Sequence, residues 1–258
     1  MRVLRVRHQG KSFYASLFDD HVVCLDRGLG LDAPIPLSEL SLLPPVAPSK
    51  VVCAAVNYRS HAAEVGREVP DEPVLFFKPP SAVIPAGQPI VLPRASSRVD
   101  YEAELAVVIG RACRNVSEDK VAGHIFGYAC ANDVTARDLQ QKDGLYGRAK
   151  GFDTFAPIGP WIETEVPDTG NLAIRTLVNG EARQEGNTSD MIFPVPALLS
   201  FISRVMTLLP GDVVLTGTPP GIGPIAPGDE VRIEIAGVGV LINPVVAEGE
   251  TLEGAPIQ

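Results

Sequence analysis

The stretch VDYEAELAVVIG, residues 99–110, contains a contradiction. From Leu105 to Ile109 it is apolar without a break, as expected of a strand buried on both faces. Just before that run stand Glu102 and Glu104. Alternate side chains of a strand share a face, which puts the two carboxylates side by side, about 7 Å apart at Cα. Like charges at that spacing repel, and burial makes the repulsion worse. Either the pair is solvated on the exposed face of an edge strand, or something of opposite charge lies against it.

The rest of the chain is patterned much like this stretch. Residues 1–47 read as a small β-rich leading domain, with RVLRV, FYASLF and HVVCL as short strands and a Pro-rich connection ending near Pro44–Pro48. Residues 48–258 form the larger unit, with longer and more apolar strands at VVCAAV, PVLFFK, LAVVIG, IFGYAC, GDVVLTG and EVRIEI. Asn179–Gly180 predicts a type I′ hairpin turn, and PGD turns at Pro210 and Pro227 each launch a strand. Helices are expected in two places. SEDKVAG has an N-cap serine and an acidic first turn, and PVPALLSFISRVMTLLP sets Leu198, Leu199, Ile202, Val205, Met206 and Leu209 on one helical face. Strands dominate without regular strand–helix alternation, so the fold class is β-rich α+β.

The 258 residues are 45% hydrophobic and 21% charged, enough for a sizeable core. A net charge of −9 argues against a nucleic-acid partner, which would need clustered Lys and Arg. It leaves room for an anionic substrate, since a metal or a few local cations invert the field inside one cleft. Cys24, Cys53, Cys113 and Cys130 lack CxxC spacing and read as free thiols in apolar settings. The N-terminus lacks a signal-peptide core, and no run approaches the roughly 18 apolar residues of a spanning helix. A cytoplasmic protein with no membrane partner is expected.

Other segments bear on the glutamate pair. Asp133 ends the apolar run IFGYACAN, and a third carboxylate in such a setting suits a hard cation: Mg²⁺, Mn²⁺ or Ca²⁺. The three candidate ligands are all carboxylates, with no His among them, which disfavours zinc. His61 and Glu64 stand three residues apart, and on one helical turn the carboxylate would fix the imidazole as a general base. GTPPGIG, residues 217–223, follows a strand and is expected to offer backbone N–H groups and Thr218 to a carboxylate. Arg137, Gln140 and Lys150 follow Asp133 and together could hold an anion beside the metal. Taken singly, each of these segments also reads as ordinary surface or loop.

Six blocks in order, NYRSHAAE, EPVLFFKPPSAVI, VDYEAELAVVIG, ANDVTARDLQQKD, AKGFDTFAPIGPWI and LTGTPPGIG, resemble the fumarylacetoacetate hydrolase family. The resemblance spans roughly residues 50–245 and implies a mixed β-roll or sandwich-like catalytic fold in a homodimer. By the same resemblance Glu102, Glu104 and Asp133 match metal ligands, and His61 and Glu64 match a water-activating pair on a short lid. Lys150 matches a lysine that binds substrate and takes part in catalysis. Arg137, Gln140 and Thr218 match substrate-binding positions, while Lys78 lies in a family block without an assigned role. The implied reaction is hydrolysis of the C–C bond of a 2,4-dioxo acid of the acylpyruvate type. The ligands do not separate it from isomerisation of a hydroxy-dienoate or decarboxylation of an oxaloacetate-like acid. A rival of another class, a protein that binds oxo acids or cations without turnover, gives no reason for His61.

Overall fold

The computed structural model describes residues 1–250. A large sheet carries, in spatial order, strands Ile35–Pro36, His21–Cys24, Lys11–Phe18, Arg2–His8, Ala156–Glu163, Ile125–Asn132, Ala103–Ile109, Val213–Leu215, Val51–Ala55 and Val74–Lys78. A second sheet runs Glu181–Asn187, Ala173–Val178, Glu230–Ile235, Gly239–Ala247 and Ile90–Leu92. The architecture is the β-rich α+β class expected. The leading strands pack around Leu4, Val6, Phe13, Ala15, Val22 and Ile35, and join the rest where Arg2 and Val3 pair with Glu163 and Ile162.

Strand Ala103–Ile109 accounts for the unbroken apolar run. Ala103, Leu105, Val107 and Ile109 face one core, shared with Ile174, Ile233 and Leu241 of the second sheet. Ala106 and Val108 face another, with Cys53, Ile158 and Val213. Each side of the strand is covered, so both parities must be apolar. Glu102 and Glu104 have the parity of Ala106 and Val108, continuing that face beyond the apolar cluster.

Sheet topology brings several chain ends to one edge. Val213–Leu215 is parallel to Val51–Ala55 and antiparallel to Ala103–Ile109, which is in turn antiparallel to Ile125–Asn132. The exits of three strands and the entry of Ala103–Ile109 therefore meet. The segments emerging there contain His61, Asp133 and Thr218, beside Glu102 and Glu104.

The Asn179–Gly180 hairpin forms as expected, with φ of 53° and 81°, and Gly211 and Gly228 take φ of 86° and 92° in the PGD turns. Two helical expectations need correction. SEDKVAG makes a turn and then a 3₁₀ helix, Val121–His124, because its N–H groups bond three residues back: Lys120 to Ser117 and Gly123 to Lys120. The apolar helix spans only Val195–Val205. Met206 is already extended, since Leu208 is drawn into paired backbone bonds with Cys113. Leu198, Leu199 and Ile202 are buried as expected, whereas Val205 and Leu209 are exposed.

Candidate active site and metal centre

Glu102 sits between strands Val99–Tyr101 and Ala103–Ile109, which belong to different sheets. Its backbone is held at both polar groups: its N–H donates to Asn132 Oδ1 (2.9 Å), and its carbonyl accepts from Asp133 N–H (2.8 Å). This pairing sets Asp133 beside the glutamates. One oxygen from each of Glu102, Glu104 and Asp133 falls within 4.8 Å of the others. All three are buried, at 6%, 2% and 0% exposure, which removes the solvated-edge reading of the pair.

Buried cations offset much of this charge. Lys150 Nζ donates to Glu102 Oε2 (2.8 Å) and Asp133 Oδ2 (2.6 Å), bridging two of the acids. Arg137 donates to Glu102 Oε1, to Asp100 Oδ2 (2.9 Å) and to Gln140 Oε1 (2.6 Å). Burial alone would raise the Glu102 carboxyl, but Lys150 and Arg137 hold it down, at about 2. Lys150 is itself pushed down by burial, yet Asp133 and Glu102 lift it above the usual lysine range. Glu104 is different. Its one hydrogen-bond partner among the described residues is Gly217 N–H (2.6 Å), and burial, then Asp133 and Glu102, drive its carboxyl well above the usual range.

This donor set fits a hard divalent cation. It is all oxygen, its members converge, and the least compensated carboxylate lies where added positive charge relieves the most repulsion. The three-dimensional neighbourhood is wider than the sequence suggested. Cys53 is near enough for Asp133 and Glu104 to raise its thiol further, after burial, and His61 lines the same cleft.

Helix Arg59–Glu64 places His61 and Glu64 on one turn, with His61 Nδ1 2.8 Å from Glu64 Oε2. Glu64 Oε1 accepts from Gly221 N–H (2.8 Å), and Ser60 N–H donates to Asp190 Oδ2 (3.0 Å) at the helix's other end. The short helix is thus clamped across the cleft by side chains and loop backbone. Here the glycine-rich loop departs from expectation: the N–H groups of Gly217 and Gly221 bind Glu104 and Glu64 of the protein itself. Both glycines are required. Each has φ above +90°, and a Cβ on Gly217 would meet Asn57 Cβ at 2.8 Å, one on Gly221 the Arg183 carbonyl at 2.4 Å.

Thr218 is buried and lines the cleft. Gln184 Nε2 donates to Thr218 Oγ1 (2.9 Å) and to Pro219 O (2.8 Å), while Gln184 Oε1 accepts from Ala103 N–H (3.0 Å) and Thr176 Oγ1 (2.7 Å). With Oγ1 already accepting, the Thr218 hydroxyl proton is free to donate elsewhere. The cleft has a volume of about 230 Å³ and is lined by His61, Glu102, Glu104, Asp133, Arg137, Gln140, Lys150 and Thr218 together. Every residue given a site role from the sequence except Glu64 lines it, and Glu64 reaches it through His61.

Sequence reasoning gave no role to Lys78 or Gln184. Lys78 Nζ, fully buried, donates to Asp133 Oδ1 (2.6 Å) and Val134 O (3.0 Å); burial pushes it below the usual lysine range against the pull of Asp133. A lysine closing the apolar strand VLFFK was the available signal, but nothing local showed its partner. Gln184 gave none, being one polar residue in a polar strand.

The model of the fumarylacetoacetate (FAA) hydrolase C-terminal domain matches residues 50–246. The chain belongs to this family. Among solved structures of the family, 5-carboxymethyl-2-hydroxymuconate delta-isomerase from Mycobacterium smegmatis is 43% identical, with a TM-score of 0.88 over 97% of this chain and 100% of that one. Maleylpyruvate hydrolase from Sphingobium sp. SYK-6, in complex with manganese(II) and pyruvate, is 33% identical, with a TM-score of 0.82 over 96% and 99%. The mitochondrial oxaloacetate tautomerase of Xenopus laevis is 44% identical across 81% of this chain and 69% of its own length. Family members similar to this chain thus include an isomerase, a hydrolase and a tautomerase. Among the described residues no helix is long and apolar enough to cross a membrane.

Proposed function

We propose that the protein is a divalent-metal-dependent enzyme that generates the enolate of a small 2-oxo acid, with C–C hydrolysis of a 2,4-dioxo acid as its reaction. The observation that carries this reading is that His61, paired with Glu64, lines one cleft with a three-carboxylate cluster. Glu102, Glu104 and Asp133 would hold Mg²⁺ or Mn²⁺. The bound cation would supply Lewis-acid stabilisation of the negative charge that develops on the 2-oxo oxygen.

In this scheme Arg137, Gln140, Lys150 and the free Thr218 proton orient the substrate carboxylate. Glu64, held by Gly221, fixes the proton on His61 Nδ1 and leaves Nε2 as the base. His61 takes a proton from water, the resulting hydroxide adds to C4, and the C3–C4 bond breaks with its electron pair moving into the enolate. Protonation at C3 releases pyruvate, and the acyl part leaves as a carboxylic acid. Water enters as the second reactant, so the atoms balance.

A second reading, keto–enol tautomerisation or double-bond isomerisation, uses the same base to move the C3 proton without water attack. The tautomerase and isomerase relatives at 43–44% identity favour it. NMR product analysis separates the two: acylpyruvates, oxaloacetate and hydroxy-dienoates are incubated in turn with the Mg²⁺- and Mn²⁺-loaded protein in D₂O. Pyruvate plus a free acid marks hydrolysis, whereas C3 deuteration or enol decay with the carbon skeleton intact marks tautomerisation. Substrate that is bound and recovered unlabelled would refute both and favour the binding protein.

A further inference from the structure

The cleft's cations are unevenly used. Arg137 is bound to Asp100 and Glu102, and Lys150 to Glu102 and Asp133. Arg67 also lines the cleft, yet among the described residues no carboxylate pairs with it. Its side chain is exposed, and Nη1 donates to the phenol oxygen of half-buried Tyr146 (3.1 Å). Tyr146 stacks on Phe76 with ring centroids 4.7 Å apart, and Lys150 Nζ lies 5.1 Å from the Phe76 ring. A continuous wall therefore runs outward from the buried acids: Lys150, Phe76, Tyr146, Arg67. It is charge-balanced at its inner end, aromatic in the middle and cationic at the mouth.

A guanidinium fork with no carboxylate partner among the described residues, at the mouth of a cleft in a chain of net charge −9, is an anion-recognition element. Tyr146 adds a second donor, because its oxygen accepts from Arg67 and its own proton stays available. Two convergent donors suit a carboxylate. We propose that Arg67, with Tyr146, binds the terminal carboxylate of a dicarboxylic 2-oxo acid whose 2-oxo end lies at Glu102, Glu104 and Asp133. This rests on the functional reading above for the placement of the 2-oxo end and adds the class of substrate. Arg67 N–H bonds to Ala62 O (2.9 Å), so the residue is tied to the helix bearing His61 and Glu64.

The test uses stable 2-oxo acids of equal length that differ only at the far end: 2-oxoglutarate against 2-oxopentanoate, and 2-oxoadipate against 2-oxohexanoate. Dissociation constants are measured by calorimetry on the Mg²⁺-loaded full chain, for wild type, Arg67→Ala, Arg67→Lys and Arg67→Glu. For a partly exposed charge-assisted pair the wild type should prefer the diacid by about fivefold or more. That ratio should fall to about one in Arg67→Ala, recover in part in Arg67→Lys and invert in Arg67→Glu. Equal affinities in the wild type, or a preference that survives Arg67→Ala, would overturn the assignment. Because binding needs no turnover, an intact preference without any enolisation sinks the functional reading alone. Binding of neither member of a pair overturns both.

Discussion

Glu104→Gln makes a stability measurement report on function. Glu102 has Lys150, Arg137 and Thr135 as partners, and Asp133 has Lys78 and Lys150. Glu104, at 2% exposure, has Gly217 N–H alone. Its carboxyl is raised by burial and by the two neighbouring acids, so the folded chain keeps a proton that the unfolded chain has lost. The sign follows: this group's contribution is fully present below the ordinary glutamate value and is lost as pH rises toward the folded value. The loss is about 1.4 kcal/mol per pH unit, or up to about 3 kcal/mol between about pH 5 and about pH 7. Glutamine copies the neutral acid and carries no such slope. Urea unfolding of chelator-treated protein should therefore find Glu104→Gln equal to wild type near pH 5 and more stable by up to about 3 kcal/mol near pH 7. Mg²⁺ or Mn²⁺ at about a thousand times its Kd should reverse the order, since a ligand at that level stabilises wild type by about 4.1 kcal/mol. Calorimetry in buffers of different ionisation enthalpy should then find a proton released on metal binding by wild type and none by the variant. Parallel pH slopes for the two proteins, or equal stabilisation by metal, would refute the reasoning.

Other perturbations test the remaining parts of the site and its frame. His61→Ala should lower hydrolysis by about 10²-fold or more, with a smaller effect on any decarboxylation; equal losses would show that His61 does not serve water attack. Gly217→Ala introduces a Cβ 2.8 Å from Asn57 Cβ at φ +93° and displaces the N–H that holds Glu104. It should cost about 1–3 kcal/mol in urea and weaken metal affinity; an unchanged metal Kd would detach the loop from the site. Asp212 has a fully buried carboxylate that accepts from Ser49 N–H, Ser49 Oγ, Lys50 N–H and Leu209 N–H and pairs with Lys50 Nζ. Burial would raise it, but these donors hold it below the usual aspartate range. Its stabilisation is thus present above the ordinary value and lost as pH falls through the lower folded one. Asp212→Ala should cost about 3 kcal/mol at neutral pH and less in acid, and a pH-independent cost would remove the carboxylate's charge from the account.

Much of the site was legible in the sequence because it is built from short-range periods. A repeat of two puts Glu102 and Glu104 on one face, and one helical turn joins His61 to Glu64. Asn-Gly demanded its hairpin for an equally local reason, the positive φ at both positions. The helical errors arose where local propensity met a distant partner, as when Cys113 pairs with Leu208 and ends the helix pattern early.

What only the tertiary structure decided depends on strand order and register, which no local pattern encodes. Lys78 reaches Asp133 across 55 positions of sequence, Gln184 links the second sheet to Thr218, and Tyr146 meets Arg67 at the mouth. The glycine loop looked ready to bind a substrate, yet folding turned its N–H groups toward the protein's own carboxylates. Residue types and their spacing announced which charges the chain carries. The convergence of chain ends at one sheet edge settled which of those charges neutralise each other and which remain for a ligand, because electrostatic pairing depends on distance in space and not along the chain.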